Sequence, residues 1–176
     1  LRMEGNAWRH DHTRVVVPAG AEWTADITRL ALCGSMKDSL WDVSGRAVLL
    51  RGIDVAEGKW GPRLTVRLRP GGELFLGGAV STNGEKCGLA VMLEGGTLTR
   101  CGDARLDPGL VKVAPGAKVE IRVAKGVAFD PAALEKGKGA SVRVRRDVPV
   151  GIDLPARYAF DVRYDRTGRS YWISAD

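Results

Sequence analysis

The sequence predicts an all-β chain: a mainly antiparallel domain of barrel type, with a β-sandwich or jelly roll as the alternative. Three observations carry this. The first is the stretch Gly45–Gly78, GRAVLLRGIDVAEGKWGPRLTVRLRPGGELFLGG, which reads as three short strands joined by two tight turns. The second is the enrichment of Val, Ile, Thr and aromatic residues in short runs punctuated by Gly, Pro, Asp and Asn. The third is the spacing of the turn signals PAG, PGG, PG and PGA at Pro18–Gly20, Pro70–Gly72, Pro108–Gly109 and Pro115–Ala117, which favours a sandwich or a barrel. No internal repeat, heptad run or low-complexity tract longer than KGKG is read from the chain.

The strands expected, in order, are Thr13–Val17, Trp23–Leu32, Arg46–Val55, Arg63–Arg69, Glu73–Leu76, Thr97–Cys101, Lys118–Ala124, Ser141–Arg146, Arg157–Tyr164 and Ser170–Ser174. Arg63–Arg69 shows the period-two pattern best. Leu64, Val66 and Leu68 fall on one side and Arg63, Thr65, Arg67 and Arg69 on the other, so one face suits a core and the other shows a row of guanidiniums. Two segments carry helical signals. Ser81–Leu93 opens with capping residues but contains Gly84 and Gly88. Asp130–Lys136 has Asp at an N-cap, Pro at the first helical position and Gly137 as a stop. Residues 1–44 are less regular and read as an N-terminal extension or extra strands on the domain formed by 45–176, the two making one structural unit.

Composition narrows the class. A chain of 176 residues with 44% hydrophobic content has enough apolar matter for a packed core. No apolar run reaches 18 residues, so no membrane helix and no membrane partner is expected. The start LRMEGNAWRHDH lacks the layout of a signal peptide, and Met3 fits a natural start, with a processed precursor as the other reading. Cys33, Cys87 and Cys101 are odd in number and distant in sequence, which fits a reducing, cytoplasmic compartment and no zinc motif. The net charge of +6, with a pI near 9.5, favours an anionic partner.

The order of features from about Arg46 to Tyr164 resembles an OB-fold, the Greek-key barrel of single-stranded DNA-binding proteins, including phage and bacterial ones. RAVLLRGIDVAEGKWGPRLTVRL would be the first strand pair, PGGELFLGG the third strand, Ser81–Leu93 the connector, APGAKVEIRVAKG the fourth strand and ARYAFDVRYD the last. The insert Gly95–Val113 is longer than the simplest members need. The resemblance implies an OB-like barrel with extra N-terminal strands and a role in DNA replication or repair. It also implies a binding face on the second and third strands, flanked by two loops. Read independently, those positions hold Arg63, Arg67 and Arg69 on one face, Lys59 and Trp60 in the first loop, and Lys125, Lys136, Lys138, Arg143, Arg145 and Arg146 in or beside the last long loop.

Cations neutralise phosphates and release counterions, and an exposed indole stacks on a base. The function expected is therefore sequence-tolerant binding of single-stranded DNA, or RNA, without catalysis, cofactor or metal. Phosphate contacts are assigned to Lys59, Arg63, Arg67, Arg69, Lys136, Lys138, Arg143 and Arg145, and stacking to Trp60 and Trp172. A homo-oligomer is compatible with this. The same residues also fit plainer roles. Arginines on a strand's polar face are often only solvated, Trp60 could cap a barrel end, and Tyr158, Phe160, Val162 and Tyr164 suit a core face. The competing classes are a capsid or other structural sandwich subunit, which would place the chain in a virion, and a carbohydrate-binding module. His10-Asp11-His12 is the only cluster with metal-ligand chemistry, and it lies near a chain end with no second shell in view. KGKGAS lacks P-loop spacing, GGAVSTNG is no dinucleotide fingerprint, and Asp161 and Asp165 have no base nearby.

Overall fold

The structure is a computed structural model that describes residues 2–5, 8–10, 14–27, 30–32, 39–50, 53–56, 63–78, 80–83, 88–100, 108–123, 129–146, 160–165 and 170–175. Its strands from Arg2 to Arg146 do not form hairpins in sequence order. They wind as a β-solenoid. The first turn is β1 (Arg2–Gly5), β2 (Trp8–His10) and β3 (Arg14–Val17), and the second is β4 (Glu22–Ile27), β5 (Leu30–Leu32) and β6 (Ser39–Val43). The third is β7 (Arg46–Leu49), β8 (Ile53–Ala56) and β9 (Arg63–Leu68), and the fourth is β10 (Glu73–Leu76), β11 (Val80–Asn83) and β12 (Gly88–Leu93). Two-sided turns follow, with β13 (Thr97–Arg100) and β14 (Val111–Val113), then β15 (Lys118–Val123) and β16 (Glu135–Lys136), and the stack ends on β17 (Ser141–Arg146). An antiparallel pair, β18 (Phe160–Asp165) and β19 (Ser170–Ala175), comes after it.

Each strand of the stack pairs in parallel with its equivalent one turn away. Sheet 1 runs β1-β4-β7-β10-β13-β15-β17, sheet 2 runs β11-β8-β5-β2, and sheet 3 runs β16-β14-β12-β9-β6-β3. This overturns the expected mainly antiparallel OB-like Greek-key barrel, and the sandwich or jelly-roll alternative with it. Arg63–Leu68 does not pair with its sequence neighbours; β9 lies between β6 and β12. Strands β1 to β6, drawn from residues 1–44, belong to the same three sheets as the later strands.

The turn chemistry explains both the error and the fold. Ala21 N–H donates to Pro18 O, Gly72 N–H to Arg69 O, Ala117 N–H to Ala114 O and Ala140 N–H to Gly137 O, at 3.0 to 3.1 Å. The third residue of each of these turns, Gly20, Gly71, Gly116 or Gly139, has φ between +70 and +81°. These are type II turns, for which proline then glycine is favoured. A type II turn does not match the twist of a tight antiparallel hairpin, which prefers the mirror-image types. Here it forms the corner between sheet 3 and sheet 1. The corners also hydrogen-bond to one another, with Arg46 N–H on Ala21 O, Glu73 on Gly45, Thr97 on Gly72 and Ser141 on Ala117. A repeat is therefore present after all, as strand-corner-strand units such as VVVPAGAEWTA, VRLRPGGELFL and VKVAPGAKVEI.

Inside the solenoid, like positions stack into columns. Trp23, Ala47, Leu74, Leu98 and Ile121 form one on sheet 1, and Val17, Val43, Leu68, Leu93 and Val113 one on sheet 3, all within a single buried cluster. Trp23 and Trp41 meet edge to face at 4.9 Å across the second turn. Each large aliphatic buried in such a column contributes about 1.5–3 kcal/mol. One inward position breaks the pattern. Arg100 stands in register between Leu76 and Val123, is 2% exposed, and lies 6.0 Å from the Phe129 ring, and burial lowers its pKa.

The two helical expectations come out differently. Ser81–Leu93 contributes most of β11 and all of β12, because pairing to β8 and β9 outweighs the caps, and Gly88 lets the Arg63 side chain lie against the neighbouring backbone. Asp130 does cap a turn, accepting from Ala132 N–H at 2.8 Å, but that 3-10 turn spans only Pro131–Ala133 before the chain enters β16. Among the described residues no helix is long and apolar enough to cross a membrane.

Candidate nucleic-acid interface

The solenoid divides the expected basic residues into two groups. On sheet 3, Leu64, Val66 and Leu68 turn inward and Arg63 and Arg67 outward. The parallel register puts Asp42 directly beside Arg67, and the next corners bring in Arg69 and Glu94. Arg69 donates from Nε to Asp42 Oδ1 at 2.6 Å, from Nη2 to Asp42 Oδ2 at 3.0 Å and from Nη1 to Glu94 Oε2 at 2.7 Å. Arg67 Nε stands 3.0 Å from Glu94 Oε1, and Arg14 Nη2 3.9 Å from Asp42 Oδ2. Arg67 and Arg69 are thus committed to carboxylates that tie three turns together. Arg63 is exposed at the start of β9 with no ion pair to a described residue.

Asp42 is only 8% exposed. The hydrogen bond from Arg69 holds its carboxyl below the usual carboxylate range against the opposing effect of burial, and the charges of Arg69, Arg67 and Arg14 add to the shift. A carboxyl whose pKa is lower folded than unfolded gives stability that is complete above the unfolded value, near 3.8, and is lost as pH falls through the folded value. Asp42→Asn is therefore expected to destabilise the fold at pH 7. The difference from the parent should shrink as urea unfolding is repeated from pH 5 down to pH 2.5. A pH-independent difference would mean that the carboxylate charge is not what the network uses.

The second group gathers at the C-terminal end of the stack. Lys118 pairs in register with Ser141, Glu120 with Arg143 and Arg122 with Arg145, all on the outward side of sheet 1. Lys136 is exposed on the edge strand of sheet 3, and Lys138 is exposed at the corner leading into β17. Along a strand, alternate residues are about 6.6 Å apart and neighbouring strands about 4.8 Å, so the cations of sheet 1 form a close grid. Its carboxylates are Glu73, whose Oε1 lies 4.0 Å from Arg122 Nη1, and Glu120, which accepts from Arg122 Nε at 2.7 Å and lies 3.9 Å from Arg145 Nη1. The Arg122 hydrogen bond, with the charges of Arg122, Arg145 and Arg143 behind it, holds the Glu120 pKa low against burial. Lys118, Lys138 and Arg143 have no ion pair within the grid. Arg146 donates from Nη2 to Phe129 O at 3.0 Å. A shallow hollow of about 410 Å3 opens between Gly96, Thr97, Lys118, Glu120, Ser141 and Arg143.

Three of the ten expected site residues, Lys138, Arg143 and Arg145, are therefore brought together at this end of sheet 1, while Lys136 is in register with the inward Val113 of sheet 3. Lys59 and Trp60, like Lys125, lie outside the described residues. Trp172 is opposite Arg163 in the β18–β19 register, and its side chain is outside the description. Sequence reasoning missed Lys118 and Arg122, which join the grid only through the parallel register with β17. Among the described residues no group of His, Cys, Asp and Glu could hold a metal ion. His10 is in β2, while Asp11 and His12 lie outside the description.

Compared with known proteins, the chain matches no protein-family model, no curated protein and no solved structure.

Proposed function

We infer that this solenoid is a non-catalytic binder of single-stranded nucleic acid, held along the basic C-terminal end of sheet 1. The observation that carries the reading is the in-register grid of Lys118, Arg143 and Arg145, with Lys138 at the adjoining corner; Arg122 beside them is held by Glu120 and Glu73. A row of cations on a regular backbone tracks a phosphodiester chain without reading bases, so the binding is sequence-tolerant. An edge strand rich in Arg also blunts edge-to-edge pairing, and the same residues serve both ends. The role of sheet 3 is different. Arg67 and Arg69 are phosphate ligands in the sequence reading, but their carboxylate partners make them braces of the stack.

The test is a fluorescence anisotropy titration with a labelled single-stranded oligonucleotide at several salt concentrations. About four phosphates neutralised give a log–log slope near −3, or roughly 60-fold weaker binding at 200 mM than at 50 mM salt. Salt-indifferent binding, or none at low salt where screening is least, would remove the reading.

A further inference from the structure

Sheet 1 has a second buried face. Thr24, Val48, Phe75 and Thr99 form one register column on its outward side, yet they are 1%, 0%, 2% and 3% exposed. Their neighbours Trp23, Ala47, Leu74 and Leu98 point inward, and Val48 and Phe75 lie outside the solenoid's core cluster. The Oγ1 atoms of Thr24 and Thr99 are themselves buried. The burial ends sharply. The next two residues of the column, Arg122 and Arg145, have side chains 36% and 52% exposed.

The strands from β1 to β17 are all used within the three sheets. The β18–β19 pair is not. By its register Phe160, Val162, Tyr164, Tyr171, Ile173 and Ala175 share one face of that hairpin. A two-stranded hairpin alone in water is marginal, so an apolar face of this kind needs a surface. The connection runs from Arg146, at the end of sheet 1 itself, through residues 147–159. Thirteen residues reach up to about 40 Å, while β17 and β10 are only about 15 Å apart in the stack. A six-residue strand is about 20 Å long, enough to cross the column from Thr24 to Thr99.

We propose that the β18–β19 hairpin lies across the outward face of sheet 1, apolar face down, and covers Thr24, Val48, Phe75 and Thr99. The opposite hairpin face, which carries Arg163 and Trp172 by register, is then the one left to solvent beside the basic grid. This packing does not depend on the nucleic-acid reading.

The test uses the full chain with Cys33→Ser, Cys87→Ser and Cys101→Ser, and Thr99→Cys as the reporter. Maleimide labelling of the reporter is slow in that chain. It becomes at least about 50-fold faster when Val162→Asp and Ile173→Asp are added, while the far-UV circular dichroism of the stack is kept. Fast labelling before the aspartates are added, or no change after, overturns the proposal. A photocrosslinking amino acid in place of Arg122, with the hairpin unaltered, guards against a general loss of fold. Crosslinks to peptides within 160–175 support the packing, and crosslinks only elsewhere, or none, overturn it.

Discussion

Gly96→Ala is expected to unfold the stack or bring it close to unfolding. Gly96 has φ +75°, and a Cβ there would stand 2.4 Å from Gly72 O and 2.8 Å from Arg69 O. Both obstacles are backbone atoms of the preceding turn, so no rotamer change relieves the contact. The turns would have to separate where Thr97 N–H donates to Gly72 O at 2.9 Å and Glu120 N–H to Gly96 O at 3.0 Å. Left-handed backbone alone costs about 1–2 kcal/mol for an alanine. With the clash and the lost bonds, the total is on the order of 4 kcal/mol, a large share of an ordinary domain's stability. Gly116→Ala is the control. Its φ is +70°, but a Cβ there meets nothing within 4 Å, so only the conformational cost of about 1–2 kcal/mol applies. Urea unfolding of the two variants separates these cases. Equal losses would show that the corners do not stack as described.

The second large effect is on binding. Lys138→Glu, Arg143→Glu and Arg145→Glu together are expected to weaken oligonucleotide binding at least about 100-fold at 50 mM salt and to flatten the salt dependence. All three side chains are exposed, so the melting temperature should move little. Net charge alone is a rival cause, because the triple reversal takes the chain from +6 to neutral. Arg14→Glu, Arg63→Glu and Lys112→Glu make the same charge change on sheet 3, and should cost only a few-fold through long-range attraction. If the two triples weaken binding equally, the effect is one of overall charge and the grid is not a site.

Much of the local structure was legible. The strands at Arg63–Leu68, Glu73–Leu76 and Ser141–Arg146 follow from alternation and β-propensity, and their turns from Pro and Gly. Their partners were not legible, because PGG says where a chain turns and not whether it returns antiparallel or starts another coil. The repeat hides for physical reasons. An inward column accepts Trp23, Ala47, Leu74, Leu98 or Ile121 alike, so strand identity drifts. The corner also varies in length, from Ser44-Gly45 to Arg69-Pro70-Gly71-Gly72. The site was half legible for the same reason. Asp42 and Glu94 are each about 25 residues from Arg69, and only parallel stacking reveals that they occupy it. Lys138 and Arg143 keep the exposure that their sequence charge suggests, because they stand at the end of the stack with no ion pair within the grid.

The binding face is tested most directly by amide NMR on the isotopically labelled full chain, titrated with an unlabelled single-stranded oligonucleotide. The largest shifts are expected at residues 118–122 and 136–146, with 63–69 nearly unchanged. Shifts centred on Arg63–Leu68, or spread evenly over the chain, would contradict that placement.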